Sequence, residues 1–508
     1  MEILDIVTIP GWLITVTIVI SILYLYSKWK LSVWKSLGVP GPDPIPYIGN
    51  MRSYYKKGTC LTELEYVKKY GDVVGLYQCH RPVLLVADPE MIKEIFIKEF
   101  SNFTNRSIPF EPPKRAMSGI ALAMDTHWKF LRSTLSPTFT SGKVKLMMAK
   151  IHKCCGDLVD NIKSQSNNGE PVDMKEACGG YTMDIISSTS FGIEVNSQKE
   201  PNNKFVHYAK KAAAGELASP FILFLMMFPF LRPLGALRLR KREVVEFFDS
   251  VLNSAIKIRQ EGKEEYHDFL QLMLNARHTD YNEEANSKTW DLQSYRNRGL
   301  NILEIQANAN TFFIAGYDTT ANTLSFACYC LATNPDVQTK VFEEINDVLN
   351  GEKPQYDTIG TLQYLDRFLS EVLRLYGAAV RINRECKKDI IIKGVHIPKG
   401  TDVTMPIFAI HRNPKFWPEP EKFDPDRFTE ENKAKRPEYS YVPFGIGPRI
   451  CLGMRLALME AKMAIVYMVQ NFTFSTCEET EIPVTFDKGI ILRAENGILL
   501  KINQRSPK

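Results

Sequence analysis

The chain has 508 residues, 44% hydrophobic and 24% charged, which excludes a disordered protein and allows a large buried core. A formal net charge of +5 is mild, so without a basic motif it argues against nucleic-acid binding and leaves the excess for an acidic partner or an anionic membrane. The ten cysteines are scattered, with no CxxC pair and no histidine at zinc-ligand spacing, and read as thiols of a reduced, cytosolic catalytic part.

Ile6 to Tyr26 is a nearly uncharged apolar run. At about 1.5 Å per residue a helix of that length crosses a hydrocarbon core of about 30 Å. Glu2 and Asp5 in place of lysines, and no A-x-A-like site, favour a retained anchor over a cleaved signal. Lys28, Lys30 and Lys35 follow the run, which predicts a cytosolic body and a lumenal N-terminus. Pro40-Gly-Pro-Asp-Pro-Ile-Pro46 forbids helix and strand and reads as a stiff spacer orienting the body against the bilayer. The expected division is residues 1–27 as anchor, 28–50 as basic and proline-rich hinge, and 51–508 as catalytic domain.

Val73–Tyr77 and Val83–Val86 predict short antiparallel strands, and Asp88-Pro89 opens a helix. Asn102 to Ala123 reads as an irregular loop. His127-Trp128-Lys-Phe-Leu-Arg132 puts an aromatic and a guanidinium four residues apart on one helix face. Pro220 to Leu231 is strongly apolar but too short, and too interrupted by Pro229, to span a membrane. It fits a buried core helix or, flanked by Arg232, Arg238, Arg240, Lys241 and Arg242, one that dips into the membrane surface. Glu261 to Arg298 reads as an exposed connection around a helical Phe269–Leu274.

A long helix is predicted from about Leu300 to Ala332, stopped by Asn334-Pro335. At its centre, Ala315 and Gly316 let another surface approach the backbone, and Thr319 can bond within the helix and loosen its ladder. Asp318 lies in largely apolar surroundings, where a carboxylate is costly unless it has a partner or a task. Leu362–Tyr376 is apolar nearly all round, so Glu371 and Arg374, one turn apart, are expected to be buried and to need further hydrogen bonds. Ile390–Ile392, Val395–Ile397 and Val403–Met405 predict strands, and Ile490–Leu492 with Ile498–Ile502 predicts a hairpin around Asn496-Gly497. In Tyr441–Glu460, Gly445, Gly447, Pro448 and Gly453 make a loop able to hold a flat partner close. Cys451 falls where a helix begins, a position that favours a thiolate and suits an axial iron ligand.

Phe444-Gly-x-Gly-x-Arg449-x-Cys451-x-Gly453 resembles the haem loop of the cytochrome P-450 monooxygenases. Trp128-x-x-x-Arg132, Ala315-Gly316-Tyr-Asp318-Thr319, Glu371-x-x-Arg374 and Asp424-Pro-Asp-Arg427-Phe428 match further motifs of that family in order and spacing. The branch resembled is that of the vertebrate drug-oxidising enzymes and thromboxane synthase, in its microsomal form. The resemblance implies a mainly α protein, the P-450 helical prism with a small β-rich subdomain and an N-terminal transmembrane helix, holding haem b (iron-protoporphyrin IX). It implies Cys451 as iron ligand and Trp128, Arg132, Arg384 and Arg449 as propionate donors, with Phe444, Ala315, Gly316 and Gly453 lining the cofactor. It makes Thr319 and Asp318 the proton relay, and Glu371, Arg374 and Arg427 a structural network behind the loop. Asp426 and Gly377-Ala378 depart from the family's usual Glu and Pro-Pro. The implied reaction inserts one oxygen of O2 into a lipophilic molecule, in the endoplasmic reticulum membrane, with electrons from NADPH through NADPH-cytochrome P-450 reductase and with cytochrome b5 as a further partner. Lys129, beside Arg132, is a candidate for the docking helix. The substrate-lining segments are Ile108–Leu122, Ser219–Leu231 and Ala378–Ile382. A haem-thiolate isomerase or dehydratase acting on a lipid peroxide is the enzymatic alternative, but thromboxane synthase lacks the threonine matching Thr319. A membrane haem protein without catalysis is the other.

Overall fold

The computed structural model describes residues 10–505 except 110, 168, 201, 214–219, 229–230, 232–241, 263–265, 267 and 278–290. Arg232, Arg238, Arg240, Lys241 and Pro229 lie outside the described residues, as does the start of the apolar run at Ile6.

Helices dominate, and the strands are short: β1 (Val73–Gln78), β2 (Arg81–Val86), β3 (Val172–Asp173), β4 (Ile382–Glu385), β5 (Ile390–Ile392), β6 (Val395–Ile397), β7 (Asp402–Met405), β8 (Phe472–Ser475) and β9 (Leu499–Gln504). The main sheet runs β1-β2-β7-β4, with β2 and β7 parallel and the other pairs antiparallel. Strands from both ends of the sequence therefore share one sheet, the small β-rich subdomain. The predicted hairpin of Ile490–Leu492 with Ile498–Ile502 does not form. β9 pairs with β8 and β3 instead, and Ile491 bridges to Ala379. The turn signal at Asn496-Gly497 is local, whereas β8 offers buried Phe472 and Phe474 to match the buried Leu500 and Ile502.

The long helix spans Ile302–Thr333 and is fixed at both ends by its own side chains. Asn301 accepts from the Glu304 N–H at 2.8 Å while Glu304 accepts from the Asn301 N–H at 2.9 Å, a reciprocal cap. Asn334 ends the helix, and Pro335 starts the next. Its second half is buried on nearly every face, against the helices Met174–Phe191, Gln363–Tyr376 and Met454–Asn471. Gly316 permits the closest approach, since a Cβ there would come within 2.8 Å of Ile186. The surface it admits is thus the neighbouring helix.

Between Glu261 and Arg298 most described polar residues are exposed, as the composition predicts, with two charged exceptions. Asp268 and Arg298 are buried: Arg259 pairs with Asp268 at 2.6 Å and Arg298 with Glu304 at 2.5 Å. Partners just outside the stretch, nine and six residues away, make charge burial tolerable there.

The anchor helix Gly11–Lys30 is exposed until its last turn and is long and apolar enough to cross a membrane. The proline segment after it lies on β1: the Gly75 N–H donates to the Pro40 carbonyl at 2.8 Å, and a Cβ on Gly41 would meet the Gly75 carbonyl oxygen at 2.0 Å. The segment is thus packed on the body at this point.

Candidate functional site

Gly447 shows why the Cys451 loop needs glycine. It holds φ +71°, and a Cβ there would sit 2.2 Å from the Phe96 carbonyl oxygen in the turn Glu94–Lys98. Gly445 is left-handed too, at φ +76°. Gly453 has an ordinary backbone, and a Cβ on it would meet no protein atom within 4 Å, so the space beside it is open. The Cys451 N–H donates to the Phe444 carbonyl at 3.0 Å and closes the loop.

The cysteine lies two residues before Gly453, the cap of helix Met454–Asn471. Its thiol is exposed to solvent yet ringed by protein, as in an internal cavity. Desolvation raises its pKa, opposed by the backbone N–H groups of Gly453 and Met454 and by the charges of Arg132 and Arg106. The protein thus supplies part of the stabilisation a thiolate needs, and a metal ion bound there would supply the rest.

Arg132 and Arg106 bring their charges to this sulfur, and Arg384 and Arg449 cluster with Arg106. Arg132 donates to the Ile450 carbonyl at 2.9 Å, Arg449 to the Ala123 carbonyl at 2.7 Å and Arg384 to the Asn383 carbonyl at 2.7 Å. The Arg449 guanidinium lies 4.3 Å from the ring centre of buried Trp128. Arg106 completes the set. Among the described residues no salt bridge reaches any of the four, and the Nε atoms of Arg384 and Arg449 are buried without a partner. Desolvation lowers the pKa of each; Arg106 and Arg449 depress Arg384 further, and Arg449 falls to about 9. Such a cluster is built for an anion that the protein itself does not supply. Arg106 escaped sequence reading because it stands in an irregular loop with no periodicity to mark it.

On the long helix, Ala315 is exposed and Thr319 half-exposed, with the Thr319 hydroxyl donating to the Ala315 carbonyl at 2.7 Å. Asp318 turns elsewhere. Lys175 holds it at 2.8 Å and Arg493 at 2.7 Å. Burial alone would raise its pKa, but the two cations outweigh it and keep the carboxyl below its ordinary value. Neither partner was legible, since Lys175 and Arg493 lie far off in sequence. Thr320 braces the helix to Met454–Asn471 by donating to Glu460 at 2.7 Å.

Glu371 and Arg374 are fully buried and doubly bonded, at 2.6 and 2.8 Å. Arg374 also reaches the carbonyls of His411 and Pro420, and Arg427 approaches Glu371 at 3.4 Å while bonding the Glu419 carbonyl. Sequence reading missed His411: its Nε2 accepts from the Val442 N–H at 2.9 Å, which ties this network to the start of the Cys451 loop.

An exposed thiol in a glycine loop, with arginines that have no salt-bridge partner among the described residues, fits a flat metal-bearing cofactor with acidic side groups. The chain belongs to the cytochrome P450 family, whose model matches residues 39–502. Among its relatives, cytochrome P450 3A7 of Homo sapiens is 42% identical over 515 residues, and cytochrome P450 3A41 of Mus musculus and 3A2 of Rattus norvegicus are each 40% identical over 511; every alignment covers 99% of both chains. The cofactor is accordingly haem b and the enzyme class that of the oxidoreductase monooxygenases with thiolate-ligated haem.

Proposed function

We propose that this protein is a microsomal monooxygenase of lipophilic small molecules, spanning the endoplasmic reticulum membrane once with residues 1–27, joined by 28–50 to a cytosolic catalytic domain, 51–508. The observation that carries the site reading is the Cys451 thiol with Arg106 and Arg132 acting on it and Arg384 and Arg449 clustered with Arg106, four cations without a salt bridge among the described residues. Cys451 is the iron ligand, and the arginines with Trp128 hold the propionates. Phe444, Gly453, Ala315 and Gly316 shape the space around the ring. Bound haem supplies the oxygen chemistry, its thiolate ligand favouring O–O cleavage.

The residues of the chain manage position and protons. Thr319 Oγ1, having given its proton to the Ala315 carbonyl, keeps lone pairs with which to accept from a water and hold it in place. Asp318, held ionised by Lys175 and Arg493, takes part by passing a proton inward after picking it up at its carboxylate. Glu371, Arg374 and Arg427 act on no substrate and lock the loop. The electrons come from NADPH through the reductase, with cytochrome b5 as a second donor, and exposed Lys129 belongs to the docking face.

The half-exposed Thr319 hydroxyl favours an oxygenase over a peroxide isomerase, which needs no such relay. Purified protein with reductase should consume NADPH and O2 when a lipophilic substrate is added; no substrate-dependent uptake would reject the proposal. Thr319→Ala should leave NADPH use largely intact while product falls and hydrogen peroxide rises, and unchanged coupling would remove Thr319 from the relay.

A further inference from the structure

The end of the anchor helix is built into the body. Ser27 is 0% exposed although nearly every described residue before it faces outward. Its hydroxyl accepts from the Tyr47 N–H at 2.8 Å and meets His80 Nε2 at 3.0 Å. While its oxygen accepts from the Tyr47 N–H, the Ser27 hydroxyl still has its own proton to offer to a bare Nε2 and a second lone pair to accept from a protonated one. The pair is bonded in either imidazole tautomer. Desolvation and the nearby Lys30 charge both lower the His80 pKa, which suits the neutral form. The His80 ring stands edge-on to Tyr26 at 6.1 Å and to Tyr47 at 5.1 Å.

Two residues of this socket, Tyr47 (φ 64°) and Cys79 (φ 54°), hold left-handed backbone without being glycine. Such backbone is strained for a residue with a side chain and persists only where its surroundings determine it. A second tie lies just beyond: the Trp34 N–H donates to the Tyr77 hydroxyl at 2.9 Å and its indole N–H to the Leu76 carbonyl at 2.8 Å. Gly75 makes room for the indole, since a Cβ there would be 2.5 Å from Trp34 Cγ. On the far side of the β1–β2 turn, buried Cys79 packs with Met51, Met226 and Met227, and the last two end the apolar helix Pro220–Met227.

We propose that Ser27, His80 and Tyr47 form a rigid joint that fixes the angle between the anchor helix and the catalytic body, and that Cys79 carries that angle to the helix Pro220–Met227. The partner is the lipid bilayer, and the proposal rests on the reading of Gly11–Lys30 as a membrane span. A free tether would let the body rock on the membrane. This joint holds it at one inclination and sets how close the exposed Phe224 stands to the lipid.

The test uses the full-length holoprotein in phosphatidylcholine nanodiscs, reading the haem tilt against the bilayer normal by polarised absorption. The parent protein should show one tilt angle. Ser27→Ala and His80→Phe should lose it, the second keeping an aromatic ring in the socket so that folding survives, while His80→Gln, which keeps an acceptor, should retain it. An intact thiolate-type CO spectrum checks the fold of each variant. A single tilt angle unchanged in a folded His80→Phe would overturn the joint. Failure of the parent protein to float with phosphatidylcholine vesicles would instead overturn the membrane span on which the joint rests.

Discussion

Two groups of buried arginines serve the Cys451 loop, and they are built on opposite rules. Arg374 is answered by a bidentate carboxylate and three carbonyls. Arg384 and Arg449 each have one carbonyl, a buried Nε without a partner, and other guanidiniums for company. The first group has its counter-charge, Glu371, within the polypeptide and holds a shape. The second has no carboxylate partner among the described residues, so a bound anion would turn its repulsion into affinity. The counter-charge, more than the tally of hydrogen bonds, separates support from a binding site.

The largest effect expected on this contrast comes from its shared target. Cys451→Ser should abolish monooxygenase activity and the thiolate-type CO spectrum, and a retained spectrum would remove Cys451 as the ligand. Next, Glu371→Ala leaves Arg374 buried without its counter-charge, at about 3–5 kcal/mol. It should appear as a large drop in urea midpoint and in haem incorporation, whereas a near-neutral result would make the network dispensable.

A pH series sharpens the support side. Burial, aided by the Arg374 charge, lowers His411 from an ordinary 6.5 to about 3. The unfolded chain binds that proton more readily, so the stability due to neutral His411 is complete above pH 6.5 and falls as pH drops toward about 3. The slope is at most about 1.4 kcal/mol per pH unit. Urea midpoints between pH 7.5 and 5 should show it, and His411→Phe should flatten it. The smallest effect is the most specific: Arg384→Met should raise the stability of the haem-free chain by about 1 kcal/mol while speeding haem loss to apomyoglobin. A loss of stability in both forms would place Arg384 in the support group.

What was legible in the sequence follows the range of the forces involved. The long helix, its stop at Asn334-Pro335, the strands β1 and β2, and the burial of Glu371 and Arg374 come from periodicity and capping within a few residues. The position of Cys451 in a glycine loop before a helix was readable for the same reason. Arg106, His411, and the Lys175 and Arg493 partners of Asp318 were not, because their roles depend on contacts across the fold. The C-terminal hairpin failed in the same way: a local turn signal lost to a better-matched strand elsewhere.

The loop's own ties show what this distance means for assembly. Arg132 reaches Ile450 across 318 positions, Arg449 reaches Ala123 across 326, and Gly447 rests against Phe96. Contacts so remote form only after the intervening chain has been ordered. A nascent chain emerging from the ribosome therefore carries its Trp128 and its long helix well before it has anywhere to keep an iron. The cofactor site can close only once the chain through the Cys451 loop has been made, and the arginines repel one another until an anion joins them.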